Sequence, residues 1–416
     1  MVTETVALEG HIIDSDVLRR VMAKIVETGG SFEIEEFRVG RTNEEPSYAR
    51  LAVRAGDPAA LDRVLEALSY LGAASTVKDA HFAPAERDGI LPDEFYSSTN
   101  LETFVRRDGR WETVRAQRMD CAVVLRGGGA VCVKQRKVKA REAVLLRGPG
   151  VRVRPEERAR AASSFGFMSN EISMEVNKHV AIAAAAKMLQ ETRAAGKRIV
   201  VVPGPAVIHS GGDAAFVRLV RHGWIDGVLS GNAFAVHDLE KALLATSLGV
   251  CQLSGRAVAG GSRNHLWAIN AVNRAGGIAK AVETGLVTRG VMHALVTKKV
   301  PFVLAGSIRD DGPLVDVIPN VLEAQEAYIA ALENAGACLM LASALHAIAV
   351  GNLIPAKVRS VCVDMTEALP VKLGNRGTQH ALGLVTDVGY FLERLSQELG
   401  CGGGPSATPP ATRGHG

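Results

Sequence analysis

The sequence is short of aromatic residues, and its charges nearly balance. Only 5% of its 416 residues are Phe, Trp or Tyr, too few for the stacking surfaces that bind single-stranded nucleic acids. Lys and Arg total 48 against 44 Asp and Glu, which gives a formal net charge of +4. Proteins that bind nucleic-acid phosphates usually carry a larger basic excess. We therefore expect no nucleic-acid partner.

Cysteine is also scarce, and no two cysteines form a Cys-x-x-Cys pair. The six are too few and too scattered for a disulfide scaffold, so they indicate a reducing compartment and a cytoplasmic protein. One of them, Cys251, lies beside a predicted loop and is either a nucleophile or a packed side chain. The opening residues MVTETVALEG lack the apolar core of a secretory signal.

One apolar run approaches the length of a membrane span, residues 337–356 (ACLMLASALHAIAVGNLIPA). Ser343, His346, Asn352 and Pro355 interrupt it. A buried strand, a turn and a short helix therefore explain the run better than a membrane helix. We expect no membrane partner.

In residues 1–83, segments whose apolar residues recur at the spacing of a strand alternate with segments whose apolar residues recur at the spacing of a helix. The pattern predicts a β-α-β-β-α-β unit of the ferredoxin-like type, with a last strand over Ser75–Phe82. Residues 84–164 lack helical periodicity and predict a small β-rich domain. The basic run 134–141 (KQRKVKAR) within it is either a guarded edge strand or an anion-binding segment.

Residues 165–400 alternate helices with short runs that are apolar throughout, as parallel strands covered on both faces are. This pattern predicts an α/β domain with a doubly wound parallel sheet. Residues 401–416 carry little apolar content, and we expect a disordered tail. The predicted strands are Arg198–Val202, Ile225–Leu229, Pro301–Ala305, Cys338–Leu341, Val358–Val363 and Leu382–Thr386.

Each of these strands ends in a polar or glycine-rich loop, and the carboxyl ends of parallel strands meet at one edge of a sheet. Glycines let backbone N–H groups approach phosphates, and helix N-termini favour negative charge. Ordinary turn chemistry explains any one such loop, but five or more on one rim favour a bound nucleotide. Neither G-x-G-x-x-G nor the P-loop pattern follows a strand, so the usual fingerprints are absent.

The segment 260–278 (GGSRNHLWAINAVNRAGGI) is rich in Arg, His and Asn. Arg263 can clamp a carboxylate and His265 can transfer a proton near neutral pH. The alternative is that Ser262 caps a helix whose first turn happens to carry these residues. No H-x-x-x-H pair or Cys/His tetrad occurs, and we expect no metal.

Several longer motifs resemble a known family. The opening VALEGHIIDSDVLRRVMAKIVETGG resembles the conserved domain of lysine-ketoglutarate reductase/saccharopine dehydrogenase proteins. SGNAFAVHDLE, GGSRNHLWAIN, GSIRDDGPLVDVI, CVDMTEALP and GLVTDVG resemble the archaeal-type ornithine cyclodeaminases and the C-terminal half of the cyanobacterial arginine dihydrolase/ornithine cyclodeaminase. The resemblance implies a sheet domain similar to the NAD-binding fold of deoxyhypusine synthase, with NAD as cofactor.

The resemblance also implies which residues contact NAD, and all of them lie in the loops selected above. They are Asn232, Ala233, Asp311, Ser343, Ala344, Leu345, His346, Asp364, Asp387 and Val388.

The implied reaction converts L-ornithine to L-proline and ammonia by transient hydride removal, intramolecular cyclisation and hydride return. Such a site needs a clamp for the α-carboxylate, a group for the δ-amine and a proton-transfer group. Our hypotheses for these roles are Arg263, Asp310 and His265 respectively. Ornithine, lysine and shorter diamino acids stay open as substrates, because one methylene changes binding only modestly.

Two other functions remain open at this stage. One is a different NAD enzyme on the same scaffold, such as an amino-acid dehydrogenase or a deoxyhypusine-synthase-like transferase. The other is a non-catalytic sensor of NAD and an amino acid. We also expect a homo-oligomer, because ferredoxin-like units often join subunits.

Overall fold

A computed structural model describes residues 1–13, 15–42, 45–75, 78–154, 178–247, 250–251, 263–310, 313–375 and 381–402. The described residues form two compact units. The first takes the described residues among 1–171 together with 352–357, and the second takes those among 172–351 and 358–416. Residues 352–357 join the first unit through backbone hydrogen bonds, for example from the Ala356 N–H to the Asn100 carbonyl at 2.8 Å.

The first unit begins with the predicted ferredoxin-like order. Its four-stranded antiparallel sheet has the order β2-β3-β1-β4, and two helices cover one face. The expected last strand over Ser75–Phe82 is wrong, since β4 ends at Ser75 and Phe82 opens a strand of another sheet. The elements are β1 (Val2–Gly10), α1 (Val17–Glu27), β2 (Ser31–Arg38), β3 (Ser47–Ala55), α2 (Pro58–Ser69) and β4 (Ala74–Ser75).

Two small sheets follow, with the orders β5-β10-β8-β9 and β11-β6-β7. The basic run is a 3₁₀ turn over Gln135–Lys137 and not an edge strand, because the chain turns there to bury Val138. The strands are β5 (Phe82–Pro84), β6 (Thr103–Arg107), β7 (Arg110–Thr113), β8 (Ala122–Arg126), β9 (Gly129–Val133), β10 (Ala143–Leu145) and β11 (Val151–Val153).

The second unit is built on a seven-stranded parallel sheet, order β17-β16-β13-β12-β18-β19-β20. All six predicted strands are present, and β17 is an additional edge strand. The strands are β12 (Arg198–Pro203), β13 (Gly227–Gly231), β14 (Thr246–Ser247), β15 (Val250–Cys251), β16 (Phe302–Ala305), β17 (Val317–Ile318), β18 (Ala335–Leu341), β19 (Arg359–Asp364) and β20 (Ala381–Val385); β14 and β15 form a separate hairpin.

Helices connect these strands and provide the apolar layers of the unit. The helices are α3 (Lys178–Ala194), α4 (Ala206–His209), α5 (Asp213–Arg221), α6 (Asn232–Leu244), α7 (Asn264–Ala275), α8 (Ile278–Glu283), α9 (Val291–Thr297), α10 (Val321–Ala331), α11 (Ala344–Leu353), α12 (Ala368–Asn375) and α13 (Val388–Glu398).

The order of the sheet contains one switch point. The chain leaves β12 towards β13 and β16, then returns to the other side of β12 with β18, β19 and β20. Loops on the two sides of such a point diverge, and this opens a crevice at the carboxyl ends of the strands. The gap between β12 and β18 is therefore the expected ligand position.

The apolar run at 337–356 is confirmed as a strand, a turn and a helix, because most of β18 and the whole of α11 occupy it. No helix among the described residues is both long and apolar enough to cross a membrane. Cys401, which we assigned to the tail, is buried in the core of the second unit. Residues 403–416 lie outside the described residues.

Candidate active site at the switch point of the sheet

A cavity of about 670 Å³ opens at the carboxyl ends of β16, β13, β12 and β18. Pro205 borders it from the loop after β12, and Ser307 borders it from the loop after β16. The cavity therefore lies over the switch point. Eight residues that we predicted for cofactor or catalysis line it: Asn232, Ala233, His265, Asp310, Ser343, Ala344, Leu345 and His346.

Two helices begin at this cavity, and their first turns contain most of the expected cofactor residues. Asn232 and Ala233 open α6, and Ala344 to His346 open α11. The first N–H groups of a helix have no acceptor within it, and they carry the positive end of the helix dipole. Two such ends on one cavity suit the pyrophosphate of a dinucleotide.

Glycines without side chains bring the loops of this rim close together. A Cβ on Gly231 would lie 2.6 Å from Nε2 of His346, and one on Gly204 would overlap the carbonyl of Ala342. The Gly204 N–H also donates to the Leu341 carbonyl at 2.8 Å, which joins the loops after β12 and β18. These glycines give the close backbone approach that G-x-G-x-x-G provides elsewhere, and the rim fits NAD.

The orientation of His346 is fixed by Tyr328 on α10. The Tyr328 hydroxyl donates its one proton to the Ser230 carbonyl at 2.7 Å, and its oxygen lies 3.1 Å from Nδ1 of His346. Since the hydroxyl proton is already used, Nδ1 of His346 is the donor in the second bond. Nε2 is then the acceptor nitrogen of a neutral ring, and burial lowers the pKa of His346, which favours this neutral form.

We expect Tyr328→Phe to weaken NAD binding roughly tenfold, because the variant leaves His346 Nδ1 and the Ser230 carbonyl without their partner. Calorimetric titration with NAD⁺ measures the change. Tyr48→Phe is a matched control, since Tyr48 lies on β3 of the first unit, is not in the lining of the cavity, and has the Arg38 guanidinium over its ring. Equal affinity for Tyr328→Phe and the wild type would contradict the assigned role.

Two of the three catalytic hypotheses lie at the cavity and one does not. His265 on α7 and Asp310 in the loop after β16 both line it, and Oδ2 of Asp310 accepts from the Ser307 N–H at 2.8 Å. Arg263 is exposed at the beginning of α7, with its guanidinium 5.7 Å from the ring centre of Trp267. It is absent from the described lining of the cavity. Ser262, the alternative cap, lies outside the described residues.

The remaining expected cofactor residues follow β19 and β20. Asp387 lines a second cavity of about 600 Å³ with Met365, and its Oδ1 caps α13 by accepting from the Tyr390 N–H at 2.8 Å. Asp364 ends β19 and accepts from the Thr366 N–H at 3.0 Å. Val388 packs in the core, so only its backbone is available to a ligand. Asp311 lies outside the described residues.

The sequence reasoning missed two histidines of the main cavity. His209 ends α4 and His237 lies on α6, and both line the cavity with ring centres 4.7 Å apart. Among the described residues, no group of three or more His, Cys, Asp or Glu side chains is placed to hold a metal ion. The missed signal was that each histidine follows a strand of the rim by less than two helical turns.

Comparison with known proteins assigns the family. Residues 183–395 match the family described as "Arginine dihydrolase ArgZ-like, C-terminal, Rossmann fold", residues 102–182 match its first region, and residues 3–101 match the "LOR/SDH bifunctional enzyme conserved region". The ornithine cyclodeaminase of Archaeoglobus fulgidus is 44% identical over 396 residues, which cover 95% of this chain and 97% of that protein. The chain belongs to the family of these ornithine cyclodeaminases. The enzyme of Methanopyrus kandleri is 45% identical with the same coverage.

Solved structures agree with this assignment and confirm the resemblance read from the sequence. The ternary complex of AgrE with ornithine and NAD⁺ is 41% identical, with a TM-score of 0.53, and covers 96% of this chain. The apo structure of ArgZ, a cyanobacterial arginine dihydrolase, is 36% identical, with a TM-score of 0.81 and the same coverage of this chain. This family member spans only 57% and 58% of those two longer chains.

Proposed function

We propose that the chain is an NAD-dependent ornithine cyclodeaminase that converts L-ornithine to L-proline and ammonia. One observation carries the proposal: the cavity over the switch point joins two helix N-termini with an acidic and several imidazole side chains. The relatives named ornithine cyclodeaminase and the AgrE complex with ornithine and NAD⁺ support it. Bound NAD⁺ supplies a hydride acceptor for Cα of ornithine that can return the hydride later.

Different residues of the rim bind different parts of the cofactor and of ornithine. The first turns of α6 and α11 hold the pyrophosphate, and Nε2 of His346 accepts a hydrogen bond from the cofactor. Asp310, with one carboxylate oxygen turned into its own loop, contacts the δ-ammonium of ornithine. Arg263 and His265, at the beginning of α7, are our candidates for the α-carboxylate and for proton transfer. Asp364, Asp387 and the backbone of Val388 hold the rest of the cofactor beside the second cavity.

Holding ornithine folded brings its δ-amine to C2, so the closure of the five-membered ring is intramolecular. Fixing two reacting groups in this way can lower the activation barrier by several kcal/mol. A closed, dry cavity also protects the imines formed on the way from hydrolysis. The cofactor ends each turnover in its starting state, which favours retention over exchange.

The proposal includes a homo-oligomer in the cytoplasm. The five cysteines that the structure describes as free are all buried, in keeping with a reducing compartment. The exposed Ile34 and Phe37 on the edge strand β2 are the side chains that we expect at a subunit contact.

The test is isotopic. We expect ornithine deuterated at Cα to give proline that retains the deuterium at Cα, with no net NADH formed, as measured by mass spectrometry and absorbance. An amino-acid dehydrogenase would instead lose the label to free NADH. A non-catalytic sensor would bind NAD⁺ and leave ornithine unchanged, and either outcome would refute the proposal.

A further inference from the structure

His209 and His237 form an imidazole pair in the wall of the main cavity. Their rings meet edge to face, 4.7 Å between centres, and both contribute to the cavity surface. The Nδ1 atom of His209 lies 2.6 Å from the hydroxyl of buried Ser247, which fixes that ring. The pair brings together residues from α4 and α6, the helices that follow neighbouring strands β12 and β13.

A buried carboxylate orients His237. Glu240, one helical turn further along α6, is fully buried, with Oε2 lying 3.3 Å from Nδ1 of His237. Its Oε1 accepts from the Thr246 hydroxyl at 2.8 Å, and that hydroxyl in turn accepts from the Asn264 amide at 2.7 Å. Oε2 of Glu240 is the acceptor that faces Nδ1 of His237, which places the proton on Nδ1 and leaves Nε2 as the nitrogen that can receive one.

This arrangement matches what a general base requires. A base needs a nitrogen that faces the substrate and a second group that fixes its tautomer. Burial and the neighbouring His237 lower the pKa of His209, with Glu240 opposing and Lys241 adding to this effect. The lowered pKa keeps the His209 ring neutral, so it has a nitrogen that can accept a proton.

The proposed reaction needs two proton acceptors. The α-ammonium must lose a proton before its nitrogen lone pair can assist hydride departure, and the δ-ammonium must lose one before it attacks C2. After the attack, one proton passes from the ring nitrogen to the exocyclic nitrogen; when the C2–N bond breaks, its electron pair leaves with ammonia, which takes up one of the two removed protons to become ammonium. The ring nitrogen of proline takes up the other. Two protons are thus removed and two are returned.

We infer that His237 and His209 are these acceptors, and that Glu240 positions His237. In each step an N–H bond of the substrate breaks, its electron pair stays on nitrogen, and a new N–H bond forms on the imidazole. This inference rests on the proposed function and adds two catalytic residues and one positioning residue to it. For these two protons it replaces His265, the proton-transfer candidate of the proposed function, which is then left to contact substrate.

The experiment uses the full chain with NAD⁺ and ornithine, and follows proline formation, NAD⁺ binding and thermal unfolding in parallel. We expect His237→Ala to lower kcat by roughly a hundredfold or more, with KM and NAD⁺ affinity little changed. Imidazole added to His237→Ala should restore activity about tenfold, because the cavity volume admits it. His209→Ala should show a smaller loss and the same rescue.

Variants of Glu240 test positioning separately. Glu240→Gln should lower kcat roughly tenfold without raising KM, and Glu240→Asp should recover part of that loss. His222→Asn is the matched control, because exposed His222 at the end of α5 lies outside the cavity and should leave kcat unchanged.

Three results would overturn the inference while leaving the proposed function intact. They are a folded His237→Ala variant with kcat near the wild-type value, a loss that imidazole does not relieve, or imidazole rescue of His265→Ala alone. A wild-type chain that makes no proline would refute the proposed function and, with it, the inference.

Discussion

Gly204→Ala is expected to lower the stability of the second unit by roughly 3 kcal/mol. The new Cβ would overlap the carbonyl oxygen of Ala342 and lie 2.8 Å from its carbon. Both are backbone atoms, so no side chain can rotate away, and the loops after β12 and β18 must part. The same parting would disturb the first turn of α11, and we expect NAD⁺ affinity to fall as well. Urea unfolding and calorimetry measure the two effects.

Gly56→Ala is the control for this substitution. A Cβ at Gly56 meets nothing within 4 Å, and its backbone is outside the left-handed region. We expect a change within about 0.5 kcal/mol. If Gly204→Ala unfolds at the wild-type urea concentration, the close approach of the two loops is not needed for the fold.

Asp238→Asn is expected to lower the free energy of unfolding by about 3 kcal/mol at pH 5 and by less at pH 8. Asp238 is fully buried, and its two oxygens accept from the Val291 and Met292 N–H groups at 2.7 Å each. An asparagine keeps one acceptor and turns an N–H₂ group towards the other backbone N–H. The first turn of α9 then loses a buried hydrogen bond.

The pH dependence follows from the pKa of Asp238, which burial raises to about 7. Between about pH 4 and pH 7 the folded chain holds a proton that the unfolded chain has released, so this carboxyl favours folding at low pH. That contribution disappears as the pH rises through 7. Asp213 opposes ionisation of Asp238 and Lys241 favours it, without reversing the direction.

Urea unfolding of the wild type and of Asp238→Asn across pH 5 to 8 measures the gap between their free energies of unfolding. Asp57→Asn is the control, because Asp57 caps α2 at an exposed position, where asparagine serves equally well. A gap that widens with rising pH would show that the folded-state pKa of Asp238 is not raised.

The sequence predicted the parallel sheet well because its strands are buried on both faces. Runs such as 338–341 are apolar at every position, a signal that survives without any tertiary information. Short strands gave no such signal. β17 has two residues and pairs with β16, and β4 is described over two residues only, while Phe82 belongs to β5 in another sheet.

The candidate site was predicted in part, for an equally physical reason. Residues that follow a strand directly, such as Asn232 and Ser343, can be placed from the strand alone. His209 and His237 lie further along their helices, so their approach depends on how α4 and α6 pack. Tyr328 reaches His346 from α10, 18 residues earlier in the chain, and no local pattern marks that contact.

The rim has a consequence for how the second unit acquires its ligand. The rim is formed by loops between Gly204 and Val388, and each loop follows a different strand. A fragment that lacks the repeat of β12, β13, β16 or β18 cannot assemble the main cavity, so its occupancy reports completion of this part of the sheet. A bound dinucleotide would contact the first and last repeats together. Because it binds only the folded sheet, its binding free energy would add to the free energy of unfolding of the second unit.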